Sequence, residues 1–313
     1  MKREIHFIYF GSSHFSCTTL KTLFEEGLIP SLVVSQPDRP RGRGLKVFPT
    51  EVSAFSSANG IPLIKPVSLK DEKIYEKIKG SGAQFLVVAD YGKILPSKIL
   101  KIPSIFPLGI HPALLPRYRG AAPIDRTLMT AEKETGVTIF KINEEVDAGD
   151  IILQEKLTIL ESDNIFTLME KLARKGALLL IEALEKIKRN DYTLRPQDKS
   201  LVSFAPKLKK KDGQIVWDKD AVMIWNLIRA TLGWPSAYTH YQGKLIKILE
   251  AEALDEETDQ APSTIIKADK EGICVATAKG VLKIKKLKPE GKSQMDANSF
   301  VCGYRIEPGD KFL

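Results

Sequence analysis

The sequence predicts an α/β chain: a Rossmann-like, doubly wound N-terminal domain built on a parallel sheet, followed by a small OB-like β-barrel. Three observations carry this. Short apolar runs ending at turn residues alternate with segments of helical spacing over residues 1–190. Periodicity is then lost over 191–210, which reads as a linker, and short β-type runs punctuated by glycine fill 211–313.

The runs "EIHFIYF", ending at Gly11, "SLVVSQPD", ending at Pro37, and "QFLVVADYG", ending at Gly92, are continuously apolar, as strands buried on both faces must be. Between them "FSCTTLKTLFEEG" and "TEVSAFSSANG" have helical spacing, the second with Thr50 as N-cap and Gly60 as stop. "GVTIFKI" and "GDIILQEKLTIL" follow as further strands, and "NIFTLMEKLARKGALLLIEALEKIKRN" carries the apolar stripe of one long helix packing back on the sheet. Ligand sites of such a sheet lie beyond the carboxyl ends of its strands. In the C-terminal part "AYTHYQGKLIKILEAEAL", "STIIKAD", "GICVATAKG" and "VLKIKKLKP" suit a small barrel, interrupted by the acidic loop "DEETDQAPS".

At 313 residues, with 43% hydrophobic and 27% charged side chains, the chain has material for two cores and excludes a disordered class. The net charge of +8 suits an anionic partner such as nucleic acid, and equally a soluble protein without one. Cys17, Cys274 and Cys302 form no CxxC pair, which argues against a disulfide framework and a thiolate metal site. We expect no metal, no membrane partner and a reducing cytoplasm, because the opening apolar run is too short to span a bilayer and lacks a cleavage site.

His111, in "PLGIHPALLPRYRGAAPIDR", falls at a strand's carboxyl end, where an imidazole can exchange protons near neutral pH. Alone it is as readily a packed histidine. Asp147, in "EEVDAGDI", can orient such a ring, although the segment by itself reads as an Asx turn. Gly11 stands outside any GxGxxG cradle, and "RGRG" lacks the Walker lysine, so neither a dinucleotide site nor a P-loop is expected. Arg39, Arg41, Arg43 and Lys46 instead make a basic loop suited to tracking phosphates or merely to solubility. "KLKKK", with Lys207, Lys209 and Lys210, is a second basic cluster, and Lys283, Lys285, Lys286 and Lys288 alternate through a strand. Trp217, Trp225 and Trp234 read as core or hinge packing.

The segments "HPALLPRYRGAAPI", "ETGVTIFKINEEVDAGDII" and "SQPDRPRGRG", with "DYGKILP", "FAPKL", "IRATLGWPSA" and "GICVATAKGVLKIKKLKPEGKSQM", resemble the signature segments of the methionyl-tRNA formyltransferase family over nearly the whole chain. The resemblance implies formyl transfer from 10-formyltetrahydrofolate to methionine on initiator methionyl-tRNA by a monomer. It makes His111 and Asp147 the catalytic pair. It places tetrahydrofolate against Ala113, Leu114, Leu115 and Pro116, with Tyr91, Leu95 and Gly109 nearby. Arg39, Arg41, Arg43 and Lys46, with Lys207, Lys209 and Lys210, would hold the tRNA. A sugar-nucleotide N-formyltransferase would share His111 and Asp147, and a catalytically weakened folate- or tRNA-binding relative is the other alternative.

The family pattern Asn-x-His is broken here: Gly109 stands two before His111, removing an amide donor to the formyl oxygen. A water or Asn143 is expected to take its place, and Gly109→Asn is expected to raise turnover. Asp90 stands where the family usually has a small apolar residue, and the resemblance assigns no role to His14 in "GSSHFS".

Overall fold

The three apolar runs form the middle of one sheet in the computed structural model, which describes residues 5–41, the last by its backbone only, and 46–313. Elements in chain order are β1 (Phe7–Gly11), α1 (His14–Glu25), β2 (Leu32–Val34), β3 (Arg39–Arg41), β4 (Lys46–Phe48), α2 (Glu51–Ala58), β5 (Leu63–Ile64), α3 (Glu72–Lys79), β6 (Phe85–Ala89), α4 (Ser97–Leu100), β7 (Phe106–His111), α5 (Pro123–Met129), β8 (Glu134–Lys141), β9 (Ile151–Thr158) and α6 (Ile165–Lys188). The sheet runs β5-β2-β1-β6-β7-β8-β9. Strands from β5 to β7 pair parallel, as expected, whereas β8 and β9 add an antiparallel edge. Every residue of β1 is buried, which explains its unbroken apolar sequence. The order reverses between β1 and β6, so a crevice opens there beyond the strand ends.

Local signals set the helices that frame this crevice. Ser13 caps α1 in a reciprocal box with Ser16, and Thr50 caps α2 by accepting the Ser53 amide. In α6 the stripe Leu168, Leu172, Leu180, Ala183 and Leu184 is buried, and at Gly176 an added Cβ would lie 2.9 Å from Ile110, so the helix lies close on the sheet. The basic loop is a hairpin at its base, β3 pairing β4 with Arg39 opposite Phe48.

Residues up to Pro123, Glu134–Thr158 and Leu168–Pro206 cluster as one unit, and Ile124–Lys133, Ile159–Thr167 and Lys207–Leu313 as another. The expected linker therefore differs from the structure over 191–206. That stretch lacks periodicity because it makes irregular backbone bonds to the first unit: Arg195 exchanges N–H···O=C bonds with Ile151, and Ala205 donates to the Arg119 carbonyl at 2.7 Å.

In the second unit α7 (Ala221–Ala230) accompanies β10 (Ala237–Tyr241), β11 (Lys244–Leu254), β12 (Ile265–Asp269), β13 (Gly272–Ala276), β14 (Val281–Pro289), β15 (Met295–Asp296) and α8 (Ala297–Tyr304). The antiparallel path is β10-β11-β14-β13-β12, with β15 on β14. The last residues join its two edges. Leu313 exchanges two 2.9 Å backbone bonds with His240 of β10, while Phe312 donates to Ser263 and Asp310 accepts from Ile265 of β12. Phe312 is fully buried, stacked on Trp217. Trp225 lies under the Arg229 guanidinium, but Trp234 is 57% exposed. The alternating lysines of β14 are partly neutralised, with Lys285 paired to Glu252, Lys286 to Glu250 and Lys283 to Glu271.

Candidate active site

His111 ends β7 and is 5% exposed. Its Nε2 lies 2.9 Å from the Tyr118 carbonyl, which can only accept, so Nε2 carries the proton. Nδ1 then faces the Asp147 carboxylate across 3.6 Å. Asp147 does not make the Asx turn; Asn143 does, accepting the Glu145 amide, and Asp147 reaches across to accept the Gly120 amide at 2.8 Å. Asn143 is thereby committed to its own loop rather than to the space beside Gly109.

Two glycines make these approaches possible. A Cβ at Gly149 would stand 1.7 Å from the Lys141 carbonyl oxygen, so only glycine lets the Asp147 loop fold back on β8. Gly120 has φ +120° and passes against the Ala205 carbonyl, leaving its amide to Asp147.

The stretch 195–205 supplies a layer that the sequence hid. The Gln197 amide donates to the carbonyls of both Asp147 and Gly149 at 2.8 Å, and its oxygen accepts the Arg119 fork at 2.7 and 3.0 Å. Asp147 sits at φ 52°, a left-handed conformation that this clamp holds in place. Ser203 Oγ accepts the Tyr118 amide, fixing the carbonyl that binds His111. Only the spacing "RPQD" after the long helix marks Gln197 in the sequence, and nothing local distinguishes it.

The "ALLP" turn is pinned by one hydroxyl. Thr138 Oγ1 donates to the Ala113 carbonyl, and accepts from the Leu115 amide and from Gln154. Ala113 and Leu115 are buried, and Leu115 packs with Phe140 and Ile151, so Leu114 and Pro116 are the half-buried members of the four. Tyr91 and Leu95 belong to the core around Phe10 and Leu86. Burial pushes the Tyr91 hydroxyl up to about 12. Gly109 pairs with Phe140 across the sheet, and a Cβ added there would lie 2.3 Å from the ring. The Phe140 ring thus occupies the position where a side chain at 109 would begin.

Of the expected tRNA residues, Arg39 and Lys46 are exposed on the hairpin. Arg43 and the Arg41 side chain lie outside the described residues. Lys207, Lys209 and Lys210 are exposed in the second unit. Among the described residues no group of three or more His, Cys, Asp and Glu could hold a metal, and no helix is long and apolar enough to cross a membrane.

Residues 3–184 match the formyl transferase family and 207–305 its C-terminal domain family. The chain is 42% identical over 302 residues to the methionyl-tRNA formyltransferase of Thermodesulfovibrio yellowstonii, covering 96% of this chain and 97% of the relative. It is 42% identical over 307 residues to that of Caldicellulosiruptor saccharolyticus, covering 97% and 98%. Among solved structures it resembles methionyl-tRNA formyltransferase from Clostridium thermocellum (TM-score 0.55, 16% identity, 81% of this chain and 96% of that one). It also resembles HypX from Aquifex aeolicus in complex with tetrahydrofolic acid (TM-score 0.64, 18% identity, 98% of this chain), of which it spans about half, 50%. At these identities the structural likeness speaks for the fold.

Proposed function

The chain belongs to the formyltransferase family, with methionyl-tRNA formyltransferases as near full-length relatives, and we propose that it transfers the formyl group of 10-formyltetrahydrofolate to the α-amino group of methionine on initiator tRNA. The observation that carries this is the 42% identity sustained over 96% of the chain, both halves included.

The amine attacks the formyl carbon, a C–N bond forms, and a tetrahedral intermediate places negative charge on oxygen. Collapse breaks the bond to the folate nitrogen, which leaves with a proton. With Nε2–H tied to the Tyr118 carbonyl, His111 takes up the amine's proton at Nδ1 and returns it to the leaving nitrogen. Asp147 stabilises the imidazolium formed between these steps, and Gln197 and Arg119 hold Asp147 at the angle this requires. The turn Ala113–Pro116 forms the wall on the folate side, and the hairpin of Arg39 and Lys46 supplies positive charge to the tRNA end.

Formylation of methionyl initiator tRNA with 10-formyltetrahydrofolate tests the assignment, run beside a nucleotide-linked amino sugar as competing acceptor. Formyl-methionyl-tRNA is expected. Formylation of the amino sugar alone would overturn it.

A further inference from the structure

The crevice at the strand-order reversal holds a carboxylate that the mechanism above leaves unused. An open cleft of about 260 Å³ there is lined by Ser12, Ser13, Gln36, Arg39, Phe48 and Asp90, among others. Asp90 directly follows β6. It and His111 are each the second residue past Val88 and Gly109, the last paired positions of adjacent parallel strands. The two residues therefore occupy matching register positions at the carboxyl ends of neighbouring strands. Asp90 is exposed to the cleft, and among the described residues its carboxylate has no hydrogen-bond or ion-pair partner.

Its backbone, by contrast, is fixed. Ser16 Oγ donates to the Ala89 carbonyl and lies 3.2 Å from that of Asp90, and Gln36 Nε2 donates to that of Tyr91 at 3.1 Å. Asp90 is held at φ 42°, so the carboxylate is presented by a rigid turn. A negative charge beside a site that must admit polyanionic tRNA is unfavourable unless it meets a cation there. The acceptor substrate carries one, the α-ammonium of its methionyl ester.

We propose that Asp90 binds this α-amino group, accepting its N–H bonds and aiming it at the formyl carbon beside His111. The proposal rests on the functional reading above. Arg39, the other charged residue lining the cleft, is left to the phosphate and sugar of the tRNA end.

Asp90→Asn tests it, because asparagine also tolerates the left-handed conformation and removes only the charge. Equilibrium binding of methionyl-tRNA and of deacylated initiator tRNA is measured for both proteins, with the thermal midpoint as a check on folding. Asp90→Asn is expected to weaken methionyl-tRNA binding about tenfold while leaving deacylated tRNA no weaker and the KM for the folate unchanged. General electrostatics predicts the opposite sign for both tRNAs, since removing a negative charge favours a polyanion. Methionyl-tRNA affinity within about twofold of wild type, or an equal change for both tRNAs, overturns the proposal. A wild-type protein that formylates no methionyl-tRNA overturns instead the functional reading on which it stands.

Discussion

Gly109→Asn restores the residue type of the family pattern and on chemical grounds alone would be expected to speed the reaction; the packing argues that it slows it. A Cβ at position 109 would fall 2.3 and 2.4 Å from two ring carbons of Phe140. Carbon atoms in contact sit at about 3.5–4.0 Å, so the ring must move by roughly 1 Å or more before the amide is even placed. Phe140 has little freedom to do so, being 4% exposed and packed on Leu115 and Ile151. Overpacking of this kind costs about 1–3 kcal/mol, or a thermal midpoint lower by roughly 2–12 °C. Movement of Leu115 also disturbs the turn beside His111, and turnover is expected to fall about tenfold or more. Gly109→Asn with Phe140→Leu removes the obstruction and regains the donor, so its turnover should exceed that of the single variant by at least about tenfold. Differential scanning calorimetry and methionyl-tRNA formylation, on the single variants and the pair, make the comparison. A Gly109→Asn protein with an unchanged midpoint and raised turnover would refute the reasoning.

His111→Ala and Asp147→Ala should each lower turnover by about a hundredfold or more with tRNA binding nearly unchanged, measured by single-turnover formylation; losses under about threefold in both would remove them from the chemistry. Gln197→Ala frees the Asp147 and Gly149 carbonyls and is expected to lower kcat about tenfold with the KM for tRNA unaltered, whereas a rise in KM alone would make 195–205 a binding segment. Replacing Arg39 and Arg41 by alanine should flatten the salt dependence of tRNA binding by about one unit of slope per lost phosphate contact; an unchanged slope returns the hairpin to a solubilising role. The Asp310 carboxyl is held below its ordinary range by the Glu307 amide and the Tyr241 hydroxyl. A depressed carboxyl contributes stability above the unfolded value near ~4 and loses it as pH falls through the folded one, so Asp310→Asn should lower the midpoint at neutral pH and erase part of its acid sensitivity; identical pH profiles would show that the tail does not depend on this charge.

The parts legible in the sequence are those where one physical cause leaves one pattern. β1 and β6 read as strands because burial on both faces permits no polar alternation, and α6 because its apolar stripe repeats along a 24-residue helix. The barrel's closure left no such trace: "DKFL" is too short for periodicity, and its role comes from lying between β10 and β12. Gln197 was hidden for a related reason, since an aperiodic stretch bonded to irregular backbone has the composition of a linker.

Gly109 and Phe140 show a further limit, which lies in register rather than composition. Each is ordinary in its own strand, and thirty-one positions separate them; only the antiparallel pairing of β7 with β8 makes them neighbours. Once paired, they act as a single exchange, with a ring filling the volume that a glycine vacates. That exchange keeps the "ALLP" turn packed, because Phe140 supports Leu115 on one side while Thr138, on the same strand, pins its amide. It also alters the chemistry of the pocket, replacing a hydrogen-bond donor by an apolar surface. On the mechanism proposed above, the charge developing on the formyl oxygen would then be met by the groups that remain, foremost the His111 imidazolium, placing more of the load on the Asp147, Gln197 and Arg119 clamp. Loss of that clamp should accordingly cost more in this protein than in a relative that retains the asparagine.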